Sequence, residues 1–228
     1  INLEHAGYET LRAKNAEDAA DLLTRVLPDL VLLDWMLPGQ SGLWLARRLR
    51  ELRLGSYQEY CEHVRRSGPE ELVGLINALT TNVTAFFREN HHFEALAQYM
   101  LPEAMRRNAA SRRIRVWSAG CSTGEEAYCV AMTGADVVPA GWDFKVLATD
   151  IDSNVIAFGQ EGVYPLDRVA SLPTERLRSC FQKGTGLQVG KAIVKAQLRS
   201  VVTFRVLNLQ HPWPMHGPFD VIFCRNVM

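Results

Sequence analysis

The chain has 228 residues, 47% of them hydrophobic, with Lys+Arg and Asp+Glu both at 25, so it carries no net charge. That length buries one large domain or two small ones, and the even balance excludes the global basic excess of a nucleic-acid binder. No apolar run is long enough to span a bilayer, which excludes direct membrane insertion, and the first residues carry no signal-peptide pattern.

The opening residues alternate. YETLRA is strand-like, AEDAADLLTRVL has helical apolar spacing and ends before Pro28, and DLVLLDWM is a nearly all-apolar run of the kind found in buried parallel strands. PGQSG is a turn. LWLARRLRELRL then predicts a helix with Leu45, Leu49 and Leu52 on one face, Arg47, Arg50 and Arg53 on another, and Gly55 as its stop. Residues 56–110 are helical in pattern throughout, in SYQEYCEHVRR, PEELVGLINAL (with Pro69 at its start) and ENHHFEALAQYMLPEAMRR.

The signal changes after residue 110. IRVWSAG is a strand ending in glycine, EEAYCVAMTGADVV a helix, FKVLATD a strand ending in an acid, and SNVIAFGQEG a helix with Ser153 as its expected cap. This alternation predicts an open parallel α/β sheet. FQKGTG, GKAIVKAQL and VVTFRVLNL break the rhythm and predict a small antiparallel insertion over about 178–207. FDVIFCRN returns to a buried strand. Residue 1 is Ile rather than Met, and FDVIFCRNVM stops where a parallel strand normally feeds a helix, so both ends are expected to be cut.

Five cysteines (Cys61, Cys121, Cys129, Cys180 and Cys224) are widely scattered, with no CxxC pair and no zinc-ligand spacing. A reducing compartment, the cytoplasm, and no metal are expected.

VWSAGCSTGEEAY carries the most chemistry. Gly120 and Gly124 bracket a turn from strand to helix, where a backbone without side chains approaches a ligand closely. Asp150 closes the next strand, the place of an acid that binds ribose hydroxyls. Spacing alone leaves open a plain tight turn with a capping Asp. The turn is not GxGxxG, and Glu125 and Glu126 stand where a pyrophosphate would meet the helix N-terminus. Two carboxylates repel pyrophosphate and suit a cofactor bearing an ammonium and a sulfonium, the charge pattern of S-adenosylmethionine. GTGLQVGK fails the GxxxxGK[ST] spacing and is not a phosphate loop.

NALTTNVTAFFRENHHF, VWSAGCSTGEEAY, LATDID and FDVIFCRNVM, in that order, resemble the CheR family of chemotaxis methyltransferases, and LARRLRELRLGSYQEY is similar to that family's helical domain. The resemblance implies a Rossmann-like S-adenosylmethionine-dependent methyltransferase, a protein-glutamate O-methyltransferase. Its helical domain would span 43–110 and its α/β domain 111–228. It implies cofactor contacts from Asn82, Thr84, Arg88, Glu126, Asp150, Asn208, Leu209, Arg225 and Asn226, with Arg88 also orienting the incoming carboxylate. Its substrate would be the Glu- and Gln-rich cytoplasmic helices of chemoreceptors, received by the basic helix of Arg47, Arg48, Arg50 and Arg53, with the β insertion gripping a receptor tail in some members. The family continues beyond CRNVM with a tyrosine near the methyl group and further strands, so a truncated sheet is expected.

Residues 1–42 resemble part of a response-regulator receiver, in which DLVLLDWMLPG would carry the phospho-accepting Asp34. The segment lacks the acidic pair and the later Thr/Ser and Lys of a working site, so Asp34 is expected to be a relic. Two alternatives to an active enzyme follow: a receiver-type signalling hybrid, and an impaired fragment that binds cofactor and receptor without turnover.

Overall fold

A computed structural model describes residues 9–11, 57–68, 70–71, 73–74, 77 and 82–227. The chain divides into two compact units, 1–81 and 82–228. The receiver-like segment with Asp34, and the basic helix with Arg47, Arg48, Arg50 and Arg53, lie outside the described residues.

In the first unit α1 spans Tyr57–Arg66, with Glu59 in its first turn and Arg65 and Arg66 in its last, complementing the helix dipole. Tyr60 and Val64, four apart, are its buried side. The Tyr60 hydroxyl donates to the Glu71 carboxylate at 2.9 Å.

The second unit opens with an irregular segment, 82–90, in which Phe87 and Glu89 adopt positive φ values of 54° and 55°. That left-handed backbone delays the helix expected from Glu89. Helix α2 (His91–Ala95) begins two residues later and runs through a π-helical turn, Leu96–Met100, into α3 (Leu101–Arg107). The wide turn stands just before Pro102, whose missing N–H and bulky ring break the regular bonding pattern. Sequence patterning places this helix with the helical segment 43–110. Its Phe93, Leu96, Leu101 and Ala104 instead join the core of the α/β unit.

That unit is built on β1 (Arg113–Ala119), α4 (Glu125–Val137), β2 (Asp143–Asp150) and α5 (Ser153–Glu161). The expected cap Ser153 is the first helical residue. Asp152 caps instead, its carboxylate accepting from the N–H groups of Asn154 and Val155, because its extended backbone aims the side chain at the free amides. The chain then leaves the sheet through β3 (Val163–Pro165), α6 (Leu166–Val169), α7 (Thr174–Cys180), β4 (Phe181–Lys183), β5 (Lys191–Val194) and α8 (Ala196–Arg199), and returns in β6 (Val202–Val206) and β7 (Val221–Cys224).

The main sheet has the order β6-β2-β1-β7, and every pairing is parallel. The small sheet, β3-β5-β4, is antiparallel. The insertion therefore starts earlier than expected, at β3, and ends before β6. VVTFRVLNL is not part of it: Val202 to Val206 pair in parallel with Val146 to Asp150. The misreading has a physical cause. β6 is last in the strand order, so Val202 and Phe204 are buried while Thr203 and Arg205 are exposed, the alternation usually seen in half-exposed antiparallel strands.

β1 is where the strand order turns, with β2 and β6 on one side and β7 on the other. Ligands of open α/β sheets bind outside the carboxyl ends of strands at such a point. Phe93 stacks on Phe223 with ring centres 5.6 Å apart, tying α2 to β7.

Candidate functional site

The turn after β1 is closed by amides of Gly120 and Cys121, which both donate to the Thr149 carbonyl at 2.8 and 2.9 Å. Gly124, at φ +94°, packs so closely that a Cβ there would stand 3.0 Å from the Phe204 ring and 3.1 Å from the Gly159 backbone. A residue with a side chain would be strained by its backbone and crowded by its neighbours.

Glu125 and Glu126 begin α4 and are both buried. Thr123 Oγ1 donates to Glu125 at 2.6 Å, and Arg168 donates to its other oxygen at 2.8 Å. Ser118 Oγ donates to Glu126 at 2.7 Å, and Arg225 to its second oxygen at 3.1 Å. Burial pushes both carboxyls above their ordinary range, and these donors pull part of the way back. Asp150 is also pushed up by burial, against the amides of Asp152 and Ser122, which donate to it at 3.1 and 2.8 Å.

Of the residues singled out by sequence, the structure links several. Asn82 donates from Nδ2 to Asp152 at 2.8 Å, and its carbonyl accepts from Ser122 Oγ at 3.2 Å, which places it beside Asp150. The Thr84 carbonyl faces Arg168 at 3.4 Å. Arg225 donates to the Arg88 carbonyl at 2.7 Å and to Glu89 at 3.1 Å while holding Glu126, and its guanidinium lies 5.6 Å from the Phe93 ring centre. Its Nε is buried and has no hydrogen-bond partner among the described residues.

Asn208 follows the point where the Leu207 amide meets the Asp150 carbonyl, and its side chain accepts from the Gln210 amide at 2.9 Å. The Leu209 carbonyl accepts from Trp213, whose ring packs edge-on against Trp117 of β1. Asn226 has a positive φ of 53° and is exposed. The Arg88 guanidinium turns back on its own segment, donating to the Val83 carbonyl at 2.8 Å.

Ser118, Ser122, Asp152, Glu89 and Arg168 complete this network and were not singled out by sequence. Ser118 and Ser122 lie inside VWSAGCSTGEEAY, where a hydroxyl or amide beside a buried acid is a readable signal. Asp152 stands before a helix. Nothing in the sequence points to Arg168.

Three acids and two opposed arginines, set around a glycine turn at the reversal of a parallel sheet, define an α/β domain of the nucleoside-cofactor class. Residues 82–228 match the CheR methyltransferase SAM-binding domain, and residues 45–80 match the all-alpha domain of the same family. The chain belongs to the CheR methyltransferase family, and S-adenosylmethionine is the cofactor that its α/β unit binds. It is 46% identical over 187 residues to chemotaxis protein methyltransferase 2 of Pseudomonas aeruginosa, covering 81% of this chain and 65% of that protein. It is 45% identical over 191 residues to the chemotaxis protein methyltransferase of Escherichia coli, covering 81% and 63%. A probable chemotaxis protein methyltransferase of Rhizobium etli is 39% identical over 187 residues, covering 81% and 70%. The chain thus spans slightly less than two thirds of the first two relatives. Neither family match extends into residues 1–44. No helix among the described residues is long and apolar enough to cross a membrane.

Proposed function

We propose that the chain methylates glutamate side chains on the cytoplasmic helices of chemoreceptors, acting in the cytoplasm. The observation that carries this reading is the opposition of Glu126 and Arg225 across the end of β1, with Asp150 at the end of β2. An anion, a cation with a free buried donor, and a second anion suit the ammonium, the carboxylate and the ribose of one amino-acid nucleoside. Asp150 takes the ribose hydroxyls, Glu126 the ammonium, and Arg225 the carboxylate. Asn82 and Thr84 supply the covering segment, Asn208 and Leu209 flank the base, and Asn226 completes the contacts.

When bound, S-adenosylmethionine supplies an electrophilic methyl group on a good leaving group. The attacking glutamate is ionised at neutral pH, since its ordinary pKa is about 4.3. No general base is needed. The protein's task is in-line placement and partial desolvation of that carboxylate, a proximity effect. Arg88, half-exposed at the mouth of the site, orients it through the donors left free by Val83. The cluster of Arg47, Arg48, Arg50 and Arg53, which the sequence pattern alone reads as a basic helix, draws in the acidic receptor surface.

Titration of S-adenosylhomocysteine by calorimetry, followed by labelled methyl transfer to a receptor cytoplasmic fragment, tests the proposal. Saturable binding and transfer are expected. Absence of binding sinks it, and binding without transfer favours a cofactor- and receptor-holding module.

The raised carboxyls give this binding a pH dependence. Asp150 and Glu126 act as anions, and burial raises the pH at which they take up protons. Affinity for S-adenosylhomocysteine is therefore expected to fall on acidification while ordinary carboxylates, near pKa 4, are still ionised. An affinity that stays flat from neutral pH down to about pH 4.5 contradicts this assignment of the anions. For folding the sign is opposite. A carboxyl with a raised folded-state pKa favours the fold when protonated, and that contribution is lost as pH rises through the folded-state pKa.

A further inference from the structure

Arg168 belongs to α6, within the insertion that carries the small sheet, and no motif includes it. Its guanidinium is held on the Glu125 carboxylate, which is completely buried. The same nitrogen faces the carbonyl of Thr84, in the segment that covers the cofactor site. Beside it the Phe86 ring of that segment stands edge-on to Tyr164 of β3 at 4.9 Å and to Phe181 of β4 at 5.5 Å. The Tyr164 hydroxyl in turn donates to the Thr123 carbonyl in the glycine turn at 2.8 Å. One end of the covering segment is thus fixed to the small sheet and to α4. The other end is fixed by Arg225, which joins Glu126 to the Arg88 carbonyl. Two consecutive glutamates each carry an arginine, and each arginine meets a carbonyl of the same short segment.

We propose that Arg168 is a positioning residue: anchored on Glu125, it holds the segment 82–88 in the place from which it contacts the cofactor. This rests on the cofactor-site reading above. Arg168 acts through Thr84 and the segment it carries. A lysine in its place keeps a positive charge on Glu125, but its freely rotating ammonium lacks the rigid plane that fixes the directions in which the one guanidinium nitrogen serves both acceptors.

The test uses the whole chain carrying Arg168→Lys, and separately the pair Glu125→Gln with Arg168→Met, which removes the buried charge together with its partner. Both variants are expected to melt within a few degrees of the parent. Both are expected to bind S-adenosylhomocysteine about tenfold more weakly, ~1.4 kcal/mol. KM for S-adenosylmethionine should rise in proportion, kcat at saturating cofactor should change less than about threefold, and the Phe87 and Arg88 amides should exchange hydrogen faster. If the paired variant binds and exchanges like the parent, Arg168 serves only to neutralise Glu125 and the proposal is wrong. If the parent itself does not bind S-adenosylhomocysteine, the cofactor-site reading falls, and amide exchange alone still decides whether Arg168 holds the segment.

Discussion

Arg225→Ala is expected to abolish measurable S-adenosylhomocysteine binding and to lower the unfolding temperature by on the order of 10 °C. The side chain of Arg225 is 13% exposed and that of Glu126 11%, so both charges sit largely out of water. Removing one partner of such a pair leaves an uncompensated buried charge, which costs about 3–5 kcal/mol. In a domain of this size each kcal/mol moves the midpoint by about 2–4 °C. The Arg88 carbonyl and Glu89 lose a donor in the same stroke. Combining Glu126→Gln with Arg225→Met separates the two effects, because it removes the stranded charge and restores stability without restoring binding. A single Arg225→Ala variant that melts within about 2 °C of the parent would show the pair to be worth no more than a surface ion pair.

Asp150→Ala is expected to weaken S-adenosylhomocysteine by about 100-fold, ~2.8 kcal/mol. Hydrogen bonds to a charged group contribute about 1.5–3 kcal/mol each, and a ribose offers two hydroxyls to one carboxylate. Asp150 also accepts the Ser122 and Asp152 amides, so part of the loss comes through the turn itself. Methylthioadenosine, which has the ribose but no amino-acid end, distinguishes the acids. Asp150→Ala should weaken it as strongly as S-adenosylhomocysteine, whereas Glu126→Gln should leave it nearly unchanged. Equal losses from both variants on this ligand would overturn the division of roles between them.

The parts of the fold that sequence foretells are those governed by local rules. β1, β2 and α4 follow from apolar runs, the glycine turn and helical spacing, and the structure places them within a residue or two of expectation. β6 defeats the same rules because a strand at the end of the order alternates whether its neighbour is parallel or antiparallel. The helix His91–Arg107 shows an apolar stripe at Phe93, Leu96, Leu101 and Ala104, but a stripe does not say which core it joins. For the site, Glu126 and Asp150 could be picked out because glycines and strand ends stand next to them. The arginine pairings could not: Arg225 enters only through the family resemblance, not as a partner of Glu126, and Arg168 does not enter at all. Arg168 and Arg225 meet Glu125 and Glu126 across 43 and 99 residues of chain, and only the strand order brings them together.

That strand order also bears on how the domain holds itself closed. β7 lies beside β1 although the small sheet and β6 intervene in sequence, so the site gathers Asn82 from the beginning of the unit, Glu126 and Asp150 from its middle, and Arg225 from its end. A molecule bound there acts as a non-covalent staple across the whole unit. It binds only the assembled state, and at about 100 times its dissociation constant it adds ~2.7 kcal/mol to stability. Heat resistance of the α/β unit should therefore track the supply of S-adenosylmethionine, making cofactor availability a control on how much folded protein persists.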